Sequence, residues 1–293
     1  MTAFFLQWEI DQQNAMKTIK EFLQTQHVSR RALTAIKFSG GSICVNGIEQ
    51  NVRYQLQASD ILTIVFPPEN PSNKLAGENI PLVIKYEDRD VLVVDKPAGM
   101  NTIPSREHPS GSLANAIIGY YEQIALQRAV HIVTRLDRQT SGLVLIAKHR
   151  YAHHLFSEMQ KQQKIERIYE AFAKGVCKEK EGFIELPIGR KCDSIIEREV
   201  RSDGQYAATH YRVISQYADF CHLQLRLETG RTHQIRVHLS HIGHPLLGDE
   251  LYDGPLDQIK RQALHCKELR FYHPFLHKHL TFCSALPADL SHI

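Results

Sequence analysis

From Phe220 to Glu228 the chain alternates without interruption, with Cys221, Leu223, Leu225 and Leu227 on one side and His222, Gln224, Arg226 and Glu228 on the other. Successive side chains of a strand point to opposite faces, so this stretch predicts a strand with one face in a core and one toward water. Strand-like runs recur at residues 82–86, 91–95, 143–147, 168–176, 207–215, 264–271 and 280–284. Helical spacing is confined to residues 112–124, 151–162 and 232–242 in this part of the chain. Strands in runs, rather than in regular alternation with helices, predict an α+β domain with a mixed, largely antiparallel sheet and flanking helices. With 293 residues, of which 43% are hydrophobic, there is material for one such domain and a smaller one.

The smaller unit is read over residues 1–66. Met16, Ile19, Phe22 and Leu23 are spaced for one helix face. Ser29 can cap a second helix that turns Leu33 and Ile36 inward, and Gly40-Gly41 ends it. Asn46-Gly47 between Ile43–Val45 and Ile48 is a tight hairpin signal, and residues 61–66 close the unit as a strand. Between Pro67 and Pro81 four prolines fall among Asn, Ser, Gly and Glu, a linker composition. The expected boundaries are therefore 1–66, a linker at 67–80, and a large domain over 81–293.

The formal charge of +3 permits an anionic partner without requiring one. It is unevenly spread: residues 131–175 hold eight Lys or Arg against four Asp or Glu. On a shared face that surplus would track phosphates; otherwise it is a solvated helix face. The six cysteines form no C-x-x-C pair, which points to a reducing compartment and away from zinc ribbons. The N-terminus lacks a basic secretory region and no apolar run is long enough to span a bilayer, so a cytoplasmic protein with no membrane partner is expected.

Three stretches can carry chemistry. His131–Gly142 packs Arg135, Asp137, Arg138, Thr140 and Ser141 just before an apolar strand. A loop abutting a sheet is where reactive groups are held on a rigid scaffold. In an extended segment Arg135 and Asp137 share a side, and a carboxylate in positive surroundings can serve as nucleophile or base. An Asp–Arg ion pair in a turn is the plainer alternative, and the residues alone leave both open. In Gly230–His238, Thr232 or Gly230 can start a helix whose free N–H groups favour anions, with Arg231 at its start. Arg236, off the apolar stripe of Ile235, Leu239 and Ile242, can reach outward to a carboxylate or phosphate, with a cationic surface helix as the plainer alternative. In Arg167–Ala171, Tyr169 is either a core ring or a platform on which a base stacks.

These stretches resemble the motifs of the RluA-type family of pseudouridine synthases. That family runs K-P-x-G, H-R-L-D-x-x-T-S-G, K/R-x-Y-x-A, A-x-T-x-Y, G-R-T-H-Q-I-R-V-H and G-H-P-I-x-G-D. Here Lys96–Gly99, Arg135–Gly142, Arg167–Ala171, Ala207–Tyr211, Gly230–His238 and Gly243–Asp249 follow in the same order. The resemblance implies an enzyme that isomerises uridine in RNA. It assigns Asp137 as the catalytic aspartate, Tyr169 as the ring packed on the target uracil that helps remove its carbon-5 proton, and Arg236 as the partner of the catalytic carboxylate. Arg135 becomes an RNA contact near the flipped nucleotide, and Arg138, Arg231 and His233 are read with it as RNA-binding. One departure stands out: Thr134 occupies the position of the family's histidine. The first unit resembles the S-four RNA-binding module through Ser29-Arg30, Leu33, Val45-Asn46-Gly47, Tyr54 and Asp60-Ile61. That likeness implies RNA contact through the hairpin and the second helix, where Arg30, Arg31 and Lys37 lie; it points to ribosomal RNA more than to transfer RNA, and a monomer is expected.

Isomerisation neither oxidises the substrate nor adds or removes a group, so no cofactor is expected. A carboxylate near the anomeric centre is expected, as in glycoside chemistry generally. Two rival classes are considered. A metallohydrolase would use some of the 17 histidines, but there is no H-E-x-x-H and positions 233 and 238 are not one helical turn apart, so no metal site is expected. A non-catalytic RNA-binding protein of the same fold would not need Asp137, Tyr169 and Arg236 together.

Overall fold

The computed structural model describes residues 4–69 and 75–293. The first unit comprises β1 (Phe5–Glu9), α1 (Ile19–Thr25), α2 (Arg30–Phe38), β2 (Ser42–Val45), β3 (Ile48–Glu49) and β4 (Ile61–Val65). Its strands form an antiparallel sheet in the order β1-β4-β2-β3. Helix α1 starts later than the apolar spacing predicts. Met16 is exposed with φ 69°, and Thr18 and Glu21 close a capping box that sets the helix start at Ile19. Ser29 caps α2 as expected, accepting from the Ala32 amide at 3.1 Å. Asn46 and Gly47 take φ of 51° and 81°, the left-handed pair that a tight hairpin between β2 and β3 needs. Strand β1 does not follow from the sequence pattern; it pairs with β4 and half-buries Leu6 and Trp8 against the core of this unit.

Of the expected linker, residues 70–74 lie outside the described residues. On either side the chain is tied down: the Glu69 carboxylate meets His131 Nε2 at 2.5 Å and accepts from the Arg150 amide at 2.7 Å. Asn115 Nδ2 donates to the Ala76 carbonyl at 2.9 Å.

The larger part holds β5 (Val83–Glu87), β6 (Val91–Lys96), α3 (Leu113–Gln123), β7 (His131–Ile132), β8 (Ser141–Ala147), α4 (Arg150–Lys161), β9 (Ile165–Lys174) and β10 (Glu181–Glu185). There follow β11 (Ile188–Arg190), β12 (Arg198–Val200), β13 (Ala208–Gln216), β14 (Phe220–Leu227), α5 (Gln234–His241), β15 (Leu264–His273), β16 (Lys278–Cys283) and α6 (Ala288–Ser291). Ten strands make one sheet, in the order β10-β13-β14-β9-β15-β8-β6-β5, with β16 on β15 and β7 on β8. Among the described residues only β15 and β8 pair in parallel. The α+β expectation holds, and the short β11–β12 hairpin is an element the apolar pattern did not reveal. Among the described residues no helix is long and apolar enough to cross a membrane.

Every residue of β8 is buried, and Leu92, Val93 and Val94 of β6 are fully so. Leu113, Ile117 and Tyr121 of α3 and Phe156 of α4 pack on these strands, with Phe156 edge-on to Phe271 of β15 at 5.4 Å. Burying a side chain of this size contributes about 2 kcal/mol. Gly142, second in β8, has φ 114°, and a Cβ there would lie 2.3 Å from the Cys266 carbonyl of β15. This glycine lets the parallel pair close, and the turn before it is thereby set at mid-sheet.

Candidate active site

The turn at residues 136–140 enters β8 and is tied at nearly every position. The Asp137 carbonyl accepts from the Thr140 amide at 3.1 Å. Thr102 Oγ1 donates to the Leu136 carbonyl at 2.7 Å and accepts from its amide at 3.1 Å. Arg261 reaches the Gln139 carbonyl, and Gln262 the Thr140 hydroxyl, both at 3.0 Å. Beneath lies Lys96, 1% exposed, whose Nζ donates to the carbonyls of Pro97 at 2.9 Å, Met100 at 2.8 Å and Arg138 at 3.3 Å. Burial pushes the Lys96 ammonium down to about 7, against the pull of the Asp137 carboxylate. Thr134 is fully buried, and its hydroxyl accepts from the Leu145 amide at 2.9 Å. The residue that departs from the family pattern therefore supplies a hydrogen bond inside the loop rather than facing the cleft.

Asp137 emerges from this frame with its side chain 28% exposed. Its Oδ2 accepts from Arg236 Nη1 at 3.2 Å. Arg236 does not reach outward as its helical position suggested: it is 6% exposed. Its Nε and Nη2 donate to Asp249 Oδ2 and Oδ1 at 2.7 and 2.8 Å, a bidentate pair that holds the guanidinium in plane. Burial alone would push this guanidinium down, but the Asp249 and Asp137 carboxylates outweigh it and raise it. Helix α5 begins at Gln234, not at Thr232 or Gly230. His233 precedes it in the left-handed region (φ 58°, ψ 18°), and no side chain caps the helix. His233 Nδ1 lies 2.8 Å from the Tyr252 hydroxyl and Nε2 lies 3.9 Å from Asp137 Oδ2.

Tyr169 of β9 is 4% exposed and lines the inner recess beside Asp137 with Leu227, Ile235 and Leu264. Burial pushes its hydroxyl well above the usual range, so it stays protonated near neutral pH. The recess opens into a cleft of about 780 Å³, within the range of small-molecule sites. Arg135, Arg138, Arg231 and His233 all line it. Arg135 is exposed and has no hydrogen bond or ion pair among the described residues. Arg138 is held by the Gly99 carbonyl at 3.1 Å, and Arg231 by the Tyr206 carbonyl at 2.8 Å. Arg30, Arg31 and Lys37 are exposed on α2 and do not line this cleft. The sequence reading assigned no role to Asp249, Tyr252, Lys96 or Thr102. Lys96 and Asp249 belong to the family motifs at Lys96–Gly99 and Gly243–Asp249, whereas Tyr252 and Thr102 carry no sequence signal.

The sequence matches the family described as RNA pseudouridylate synthase over residues 90–241. The chain belongs to this family. The synthase is 49% identical over 274 residues to the uncharacterized RNA pseudouridine synthase YjbO of Bacillus subtilis, covering 94% of this chain and 97% of that one. It is 40% identical over 231 residues to ribosomal large subunit pseudouridine synthase D of Haemophilus influenzae, covering 74% and 71% respectively. The structure of human RNA pseudouridylate synthase domain containing 1 superposes with a TM-score of 0.59 at 25% identity, over 71% of this chain and 85% of that one. This synthase is thus an isomerase that acts on uridine in RNA.

Proposed function

We propose that this synthase modifies ribosomal RNA and that Asp137 carries the chemistry, supported by Arg236 and Tyr169. The observation that carries the assignment is the buried chain from Asp249 through Arg236 to Asp137, ending at a carboxylate on the floor of an open cleft. In the reaction the bond from ribose C1′ to N1 breaks, the uracil turns, and C1′ bonds to C5. C5 gives up its proton and N1 gains one, so atoms balance without a co-reactant. Asp137 is placed to act at the ribose, as carboxylates do in glycoside chemistry. A phenol is protonated at neutral pH even without burial, and burial shifts this one further in that direction, which favours a role for its ring as the platform that keeps the detached base in place.

The target base must leave its stack, at a cost of a few kcal/mol. Arg135, Arg138 and Arg231 around the cleft, with His233, are positioned to offset that cost through RNA contacts. Residues 1–66 act as an S-four-like RNA-binding module through Arg30, Arg31 and Lys37, residues 67–80 link it to the catalytic domain at 81–293, and the enzyme works as a monomer. Support for ribosomal RNA comes from the similarity to a ribosomal large subunit synthase and from the cationic face of α2.

Release of tritium from RNA labelled at uridine C5 tests the assignment. Asp137→Ala is expected to lose at least about three orders of magnitude in rate while still retaining RNA on a filter. Release at the wild-type rate would overturn it. Comparing pseudouridine maps of ribosomal and transfer RNA with and without the gene tests the choice of RNA; changes confined to transfer RNA would exclude ribosomal RNA.

A further inference from the structure

Tyr252, in the short 3₁₀ turn Glu250–Tyr252, touches both groups that face the Asp137 carboxylate. Its ring lies under the Arg236 guanidinium at 4.8 Å, a cation–π contact. Its hydroxyl has two neighbours, the backbone amide of Arg198 at 3.0 Å and His233 Nδ1 at 2.8 Å. An amide N–H can only donate, so the phenolic oxygen accepts from Arg198 and the phenolic hydrogen is left for His233. Nδ1 then accepts, and a neutral imidazole with Nδ1 as acceptor carries its proton on Nε2. Burial holds His233 below the ordinary histidine value, in keeping with the neutral ring.

Nε2 faces Asp137 Oδ2, the oxygen that Arg236 Nη1 also holds. Oδ1 has no hydrogen-bond partner among the described residues. The two carboxylate oxygens are thereby distinguished: one is held from behind, and one is free for the ribose. His233 also sits in a left-handed conformation that disfavours a non-glycine residue, and its bond to Tyr252 helps to hold it there.

We propose that Tyr252 is a positioning residue for the isomerisation: its hydroxyl fixes His233 as the tautomer with the proton on Nε2, aimed at Asp137 Oδ2, and its ring supports Arg236. The proposal rests on the reading of Asp137 as the catalytic carboxylate.

The test is Tyr252→Phe, which keeps the ring under Arg236 and removes only the hydroxyl. Histidine ¹⁵N spectra of the full-length enzyme, assigned with His233→Gln, are expected to show the Nε2–H tautomer at His233 in the wild type and a mixture of tautomers in Y252F. Tritium-release kinetics are expected to show kcat about ten-fold lower with KM for RNA unchanged. In an H233Q background, where an amide supplies the donor without needing Tyr252, adding Y252F is expected to change kcat less than two-fold. A wild-type His233 protonated on Nδ1, an unchanged tautomer in Y252F, or wild-type kcat in Y252F would each overturn the proposal. The spectra can be read even if Y252F turns over slowly. Wild-type kcat in Y252F alongside an inactive D137A removes only this inference, whereas an active D137A removes the assignment on which it rests.

Discussion

Arg236 occupies the position that helical spacing points away from the apolar stripe of Ile235 and Leu239, yet it is among the more buried cations of the chain. The reason is Asp249, 13 residues further on and 2% exposed, whose two oxygens take Nε and Nη2 and leave Nη1 for Asp137. A buried guanidinium without its carboxylate is an uncompensated charge, and breaking such a pair costs about 3–5 kcal/mol. Asp249→Ala is therefore expected to lower unfolding stability by about 3 kcal/mol, read as the urea midpoint at constant slope. It is also expected to reduce tritium release, because Arg236 loses its anchor. A midpoint within error of the wild type would show that the guanidinium finds another partner.

At the level of elements, the site is a set of loop ends pinned to strands. Lys96 terminates β6, and its ammonium joins the loop at Pro97–Met100 to the Asp137 turn through three carbonyls. Its motif was visible in the sequence, but its role required knowing which carbonyls surround it. Lys96→Met keeps much of the apolar stem and leaves those carbonyls without a donor. Each unsatisfied buried polar group costs about 1–3 kcal/mol, so a loss of at least about 3 kcal/mol is expected by urea denaturation, together with reduced kcat. Wild-type stability with wild-type kcat would mean that the turn holds its shape without the lysine. Helix α5 makes the same point from the other side: its start at Gln234 is decided by His233 and Tyr252, not by Thr232 as a capping residue.

Across the whole molecule, the first unit packs on the catalytic part. Phe4 stacks on His149 at 3.7 Å, Phe66 meets Tyr151 at 5.6 Å, and the Tyr151 hydroxyl donates to the Gln26 carbonyl at 2.6 Å. Deleting the unit would expose these rings, so the RNA role proposed for it is better tested by surface change. Arg30, Arg31 and Lys37 are exposed, and their replacement leaves the interface intact. Log affinity falls with log salt by roughly 0.7–0.9 per phosphate neutralised. The triple alanine variant is therefore expected to bind RNA more weakly with a slope flatter by about two to three, measured by fluorescence anisotropy at several salt concentrations. An unchanged slope would remove α2 from the RNA interface.

Periodicity alone predicted the α+β class, the alternation of β14 and the Ser29 cap, because burial on one face and helix capping act over a few residues. The motifs named Asp137, Tyr169 and Arg236 through likeness to a family. Nothing local could show that Arg236 is buried, that Thr134 turns into the loop, or that Tyr252 reaches His233. Those facts depend on partners 11 to 99 residues away, Thr134 with Leu145 and Arg236 with Asp137. Residue types and their spacing determined which groups this protein can bring to a site. The closing of β8 against β15 at Gly142 and the docking of α5 over the Asp137 turn decided their distances, and distance sets which hydrogen bonds form.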